Sequence, residues 1–165
     1  MDEREYADAA LLGILKSCRT FAMVGASPNW NRPSSFAMKY LQSKGYHVIP
    51  VNPRAAGGEI LGETVYASLA DIPGRFDMVD VFRTSEALPG IVDEIIPLIP
   101  EKGIRVLWTQ LGVCHEGAAA KAEAAGLTVI MDRCVKIEFG RLSGELSWGG
   151  INSGIISSRR RRLIA

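Results

Sequence analysis

Four short segments carry residue types suited to a phosphorylated ligand, and each follows a run of apolar residues. The first is Gly25-Ala26-Ser27, with Ser34 further along. A glycine at the end of a strand lets the backbone turn sharply and lets a phosphate approach. Backbone N–H groups and the start of the next helix then face the anion. The Ser27 and Ser34 hydroxyls add donors. The same tripeptide also serves as a plain βα turn, and it is a weaker signal than a GxGxxG fingerprint.

The second segment is Val51-Asn52-Pro53-Arg54. A protein that binds NAD wants Asp or Glu here to hold the ribose hydroxyls. No carboxylate is present, and Arg54 is cationic. A cation suits a ribose that carries a phosphate, either the 2′-phosphate of NADP or the 3′-phosphate of coenzyme A. The plainer readings are a turn for Asn-Pro and a solvated charge for Arg54. In the third segment, Phe82 can cover a base and Arg83 can reach a phosphate. Otherwise they are a core aromatic and an exposed cation. The fourth, Thr109-Gln110-Leu111-Gly112, sets polar groups where an apolar run ends; a capping turn would look the same.

Nucleophile and metal patterns are poor. His47 sits in an apolar run and reads as structural. His115 follows Cys114, and side chains of adjacent residues rarely converge as a Cys–His pair must. Cys134 follows another apolar run; it either meets a ligand thiol or is a buried, inert cysteine. Three cysteines without CxxC spacing are neither a disulfide framework nor a zinc site. No catalytic or metal-binding residue is assigned.

These segments need a scaffold, and the chain supplies one. Its 165 residues, 47% hydrophobic and 22% charged, suit one globular domain rather than a disordered chain or a coiled coil. No apolar run reaches the ~20 residues of a membrane span. The start, MDEREYADAA, is acidic and does not read as a secretory signal. The expected compartment is a reducing cytoplasm. Net charge is +1, but Arg159 to Arg162 supply four cations at the end, leaving 15 basic against 18 acidic residues elsewhere. Such a body is not built for nucleic acid.

Apolar spacing predicts helices over 4–16, 33–44, 86–99, 115–125 and 133–142. Five short apolar runs, 20–25, 46–51, 76–82, 104–108 and 127–131, predict buried strands, with a further extended piece at 59–61. The alternation predicts a single α/β domain: a Rossmann-like, doubly wound parallel sheet of five strands in the order 3-2-1-4-5. Its ligand is expected at the switch point between strands 1 and 4. The domain is expected over 1–142. Residues 143–165, rich in Gly, Ser and Arg, read as an extended or partly disordered tail.

Together the segments resemble a family. Gly25-Ala26-Ser27, Arg32-Pro33-Ser34, Gly45-Tyr46, Ile49-Pro50-Val51-Asn52-Pro53, Glu59-Ile60-Leu61-Gly62, Val79-Asp80-Val81-Phe82-Arg83, Leu107-Trp108-Thr109-Gln110-Leu111-Gly112 and Met131-Asp132-Arg133-Cys134 occur in that order. Over about residues 10–142 the chain is similar to the stand-alone CoA-binding domain proteins. Those are similar in turn to the N-terminal domain of the succinyl-CoA synthetase alpha subunit.

The resemblance implies coenzyme A or an acyl-CoA as ligand. It implies Gly25, Ala26, Ser27 and Ser34 at the pyrophosphate. Val51, Asn52, Pro53 and Arg54 would line the adenosine end. Phe82 and Arg83 would flank adenine or phosphates, and Gln110 would lie near the pantetheine path. The run Cys114-His115-Glu116 departs from the Asn and acidic residues of many relatives, which leaves the thiol end open. The synthetase's catalytic histidine belongs to a second domain, so the ligase reaction is not implied. The expected function is a non-catalytic carrier, sensor or accessory protein. Its rivals are an NADP-dependent oxidoreductase, a CoA-binding subunit working with a partner chain, and an interaction module that uses the arginine tail.

Overall fold

The computed structural model describes residues 4–146. In chain order the elements are α1 (Asp8–Ser17), β1 (Thr20–Val24), α2 (Pro33–Ser43), β2 (His47–Val51), β3 (Glu59–Ile60), β4 (Glu63–Thr64) and β5 (Met78–Val81). Then come α3 (Leu88–Ile95), α4 (Ile99–Lys102), β6 (Val106–Thr109), α5 (Glu116–Ala124), β7 (Thr128–Ile130) and α6 (Val135–Leu146). The local signals act as expected. Pro33 opens α2, where a missing N–H does no harm. Gly45, at φ +91°, closes it, and the Tyr46 N–H returns to the Leu41 carbonyl. His115 caps α5, its Nδ1 accepting the Ala118 N–H at 3.0 Å.

The five long strands form one parallel sheet in the order β2-β1-β5-β6-β7. The doubly wound α/β sheet is therefore as expected, but the strand order is not. Numbering only these five, it is 2-1-3-4-5 rather than 3-2-1-4-5. The outer edge of β2 explains the change. After β2 the chain folds back along it: Val51 bridges to Tyr66 in parallel, the Tyr66 N–H donates to the Pro50 carbonyl, and the Asn52 N–H to the Tyr66 carbonyl. That edge is filled, so the third long strand pairs with the far edge of β1. The switch point moves with it, from between strands 1 and 4 to between β1 and β5.

Side chains alternate across the sheet. Ala22, Val24, Val79, Val81 and Leu107 pack under α3 and α5. Phe21, Met23, Met78, Val106 and Trp108 pack under α1, α2 and α6. Asp80 belongs to the second face, in register with Met23 and Trp108, and it is fully buried. The expected tail begins inside a helix, since α6 runs to Leu146. The remainder of that tail lies outside the described residues.

Candidate functional site

Gly25 ends β1 at φ +87°, a conformation that favours glycine. A Cβ placed there would stand 2.7 Å from the Phe82 carbonyl oxygen. The glycine is thus required by the close approach of the chain leaving β1 to the chain leaving β5. Sequence reasoning had assigned that need to a ligand. The Ser27 N–H, expected to face an anion, donates instead to Ser34 Oγ at 3.1 Å. Ser35 Oγ donates to the carbonyls of Ser27 and Asn29, and Ser27 Oγ accepts from the Asn29 N–H. The turn is locked against the first turn of α2, whose start has no side-chain cap. Uncapped N–H groups at a helix start attract negative charge.

Asn52 after β2 is a latch. Its Nδ2 donates to the Ala26 carbonyl at 2.8 Å, and its Oδ1 accepts the Arg54 N–H at 2.9 Å. One side chain thereby fixes the β1 loop to the β2 loop. Ala26 is buried and serves through that carbonyl alone. Past β5, Phe82 donates its N–H to the Val24 carbonyl, and Arg83 is exposed. Past β6, the Gly112 N–H donates to Asp132 Oδ1 at 2.7 Å, and Ser85 Oγ donates to the Gly112 carbonyl at 3.2 Å. Asp132, at φ +57°, and Ser85 hold this loop; Asp132 stood out in the sequence only as part of the Met131-Asp132-Arg133-Cys134 run, and Ser85 not at all.

The loops enclose a cavity of about 1120 Å³ at the carboxyl ends of β1, β2, β5 and β6. Its wall includes Gly25, Ser27, Ser34, Val51, Asn52, Pro53, Arg54, Phe82, Arg83 and Gln110. Of the residues expected at the site, Ala26 alone does not line it. Arg32 and Glu94 also line it and were not expected. The signal for Arg32 was at hand, because it precedes the helix-opening Pro33 beside Ser34. Glu94 lies inside a helix and is brought in by topology alone. Among the described residues, the guanidinium groups of Arg32, Arg54 and Arg83 have no carboxylate partner. Three such cations on one cavity, next to an uncapped helix start, are groups of the kind that pair with phosphate oxygens.

The sequence profile of the CoA binding domain family matches residues 19–140. The chain belongs to this CoA-binding domain family. It is 40% identical to the uncharacterized protein YneT of Bacillus subtilis over 129 residues, which is 78% of this chain and 91% of that one. A solved hypothetical protein from Pyrococcus horikoshii is 36% identical, with a TM-score of 0.78, over 87% of this chain and 100% of its own. A solved protein from Thermus thermophilus is also 36% identical, with a TM-score of 0.77, over 83% of this chain and 99% of its own.

In this member of the CoA-binding domain family the remaining reactive residues are accounted for by structure. His47 is exposed and lies 3.2 Å from Glu63. His115 is committed to its helix cap through Nδ1. Cys134 is buried, and burial pushes its thiol up, against a weaker lowering by hydrogen bonds that include Gln110. Beneath the cavity floor, Asp80 has no partner for either carboxylate oxygen, and Gln110 Oε1 is likewise buried and unpaired. Burial alone raises the Asp80 carboxyl to about 8. Among the described residues no group of His, Cys, Asp and Glu is placed to hold a metal, and no helix is long and apolar enough to cross a membrane.

Proposed function

We propose that this chain binds coenzyme A in the cavity at the β1–β5 switch point and acts as a non-catalytic carrier or sensor of it. The observation that carries this reading is the set of three unpaired arginines around a cavity with no carboxylate at the end of β2. Coenzyme A brings a diphosphate and a 3′-phosphate to match them. Arg32, Ser34 and the start of α2 hold the diphosphate, and Arg83 closes over it from β5. Gly25 and Ser27 shape that turn. Arg54, beside Val51 and Pro53, takes the 3′-phosphate. Phe82 flanks the phosphates, and Gln110 borders the pantetheine path. A volume of about 1120 Å³ suits so long a ligand, being above the ~300–1,000 Å³ of ordinary small-molecule sites. Among the described residues no cysteine forms a disulfide, in keeping with the expectation of a reducing compartment.

Thermal unfolding at equal ligand concentrations tests the reading. Coenzyme A raises the melting temperature more than NADPH, and NADPH more than NADH, because a ligand stabilises in proportion to its occupancy of the native state. Protection by NADH without protection by coenzyme A overturns it.

A further inference from the structure

Among the five long strands Asp80 is the only acidic residue. It stands in register with Met23 of β1 and Trp108 of β6, on the sheet face covered by α1, α2 and α6. Side chains alternate along a strand, so the residue two places after Trp108 returns to that face. That residue is Gln110, and its N–H donates to the Val81 carbonyl at 3.1 Å, which extends the β5–β6 ladder past Thr109. Asp80 and Gln110 are therefore diagonal neighbours on one face, a spacing that long side chains span. Cys134, just before α6, joins them: Gln110 hydrogen-bonds to its sulfur, and the Asp80 charge acts on it.

Gln110 lines the cavity, yet its Oε1 is turned into the protein, buried and without a donor. The amide N–H₂ is the end left for a ligand. Beside an ionised carboxylate a primary amide turns the other way, N–H₂ toward the charge. An inward oxygen fits a neutral Asp80, and burial holds that carboxyl up at about 8. The charged groups on the packed elements are spent elsewhere. Asp8 of α1 and Glu138 of α6 pair with Arg141, Lys136 lies over the Tyr40 ring, and Arg133 donates to the carbonyls of Arg4, Met131 and Asp132. Ionising Asp80 reverses the preference, because an anion in a low-dielectric core repels the oxygen and attracts the N–H₂. We infer that Asp80 is a positioning residue that sets which end of the Gln110 amide faces the cavity: N–H₂ while Asp80 is neutral, oxygen once it is ionised. The wall then changes from donor to acceptor and loses its contact to a ligand carbonyl, such as the amide carbonyls of the pantetheine arm. The choice of ligand rests on the coenzyme A reading; the turn of the amide does not.

The test compares the full chain with Asp80→Asn, which keeps a neutral group at 80, and with Gln110→Met, at pH 6 and pH 8.5. Circular dichroism confirms the fold in each case. The Gln110 side-chain amide resonance, identified by its absence in Gln110→Met, moves between the two pH values in wild type and stays in place in Asp80→Asn. Calorimetric titration uses S-methyl coenzyme A, whose sulfur does not titrate. Between pH 6 and pH 8.5 the wild-type affinity falls about threefold relative to that of Asp80→Asn, as the neutral fraction of Asp80 shrinks. Gln110→Met follows Asp80→Asn in its pH dependence. The same dependence in wild type and Asp80→Asn overturns the inference, and so does a Gln110 resonance that ignores pH. A dependence in Gln110→Met equal to that of wild type places the effect elsewhere in the fold and also overturns it. If the resonance moves with Asp80 but no form of the chain binds the ligand at either pH, the coenzyme A reading falls and the turn of the amide stands.

Discussion

On the β1–β2 side of the cavity, the buried polar atoms are paired with one another. Ser34 takes the Ser27 N–H, Ser35 takes two carbonyls, and Asn52 joins Ala26 to Arg54. On the β5–β6 side, both oxygens of the buried Asp80 and the Oε1 of the half-buried Gln110 have no hydrogen-bond partner. The first side is tied together by these bonds, and its free donors are the exposed guanidinium groups and the uncapped N–H groups at the start of α2. The second carries unpaired groups in the core, and an unpaired buried carboxyl destabilises a fold. Binding geometry is thus built on one side of the switch point, and a stability deficit is stored on the other.

The sharpest break of this contrast is at Gly25, where the two sides meet. Gly25→Val forces a branched side chain into positive φ and against the Phe82 carbonyl. It should cost about 4 kcal/mol, and coenzyme A binding should go with it. Chemical denaturation with a parallel binding assay checks both. A variant as stable as wild type would mean that the two chain ends can part at no cost.

Asp80→Asn should act in the opposite direction. The folded carboxyl titrates at about 8, against ~3.9 when unfolded. The folded state holds this proton more tightly, so the contribution is fully present below about pH 4. It is lost progressively as pH rises toward 8, and flat above that. Asn carries no such titration. Asp80→Asn should therefore leave stability near pH 4 unchanged and raise it at pH 8 by about 5 kcal/mol. Parallel stability–pH curves for the two proteins would contradict a neutral, orphaned Asp80.

Asn52→Ala probes the paired side. It removes the hydrogen bond that joins the β1 and β2 loops and the one to the Arg54 N–H inside the β2 loop, at about 2 kcal/mol together. Affinity should fall as well, because the two loops that carry Arg32 and Arg54 lose the bond that ties them. Comparing affinity with loop protection by hydrogen exchange checks this: intact protection with lost affinity would make Asn52 a contact residue.

The elements were legible because each is marked locally. Pro33 and Gly45 bound α2, and each strand is a short apolar run ended by a turn. Strand order was not legible, because it depends on which segment fills the outer edge of β2. A single bridge at Tyr66 decides that, and no local pattern encodes it. The site shows the same division. The cavity-lining residues that follow strands were legible because every parallel strand points its carboxyl end at that face of the sheet. Glu94 and Asp80 were not. One is a mid-helix residue brought in by the α3 packing, and the other interrupts an apolar strand where the sequence suggested only core. Gly25 and Asn52 also hold together the loops that line the cavity, a role that their place in the sequence did not reveal.

The central claim is that the cavity recognises coenzyme A by its phosphates, with Arg54 on the 3′-phosphate. Calorimetric titration of wild type and Arg54→Glu with coenzyme A and dephospho-coenzyme A tests it most directly. Wild type should bind coenzyme A more tightly, and the substitution should weaken coenzyme A by on the order of tenfold, or about 1–2 kcal/mol, while changing dephospho-coenzyme A far less. Equal losses for the two ligands would remove Arg54 from the 3′-phosphate, and no binding of either by wild type would contradict the account as a whole.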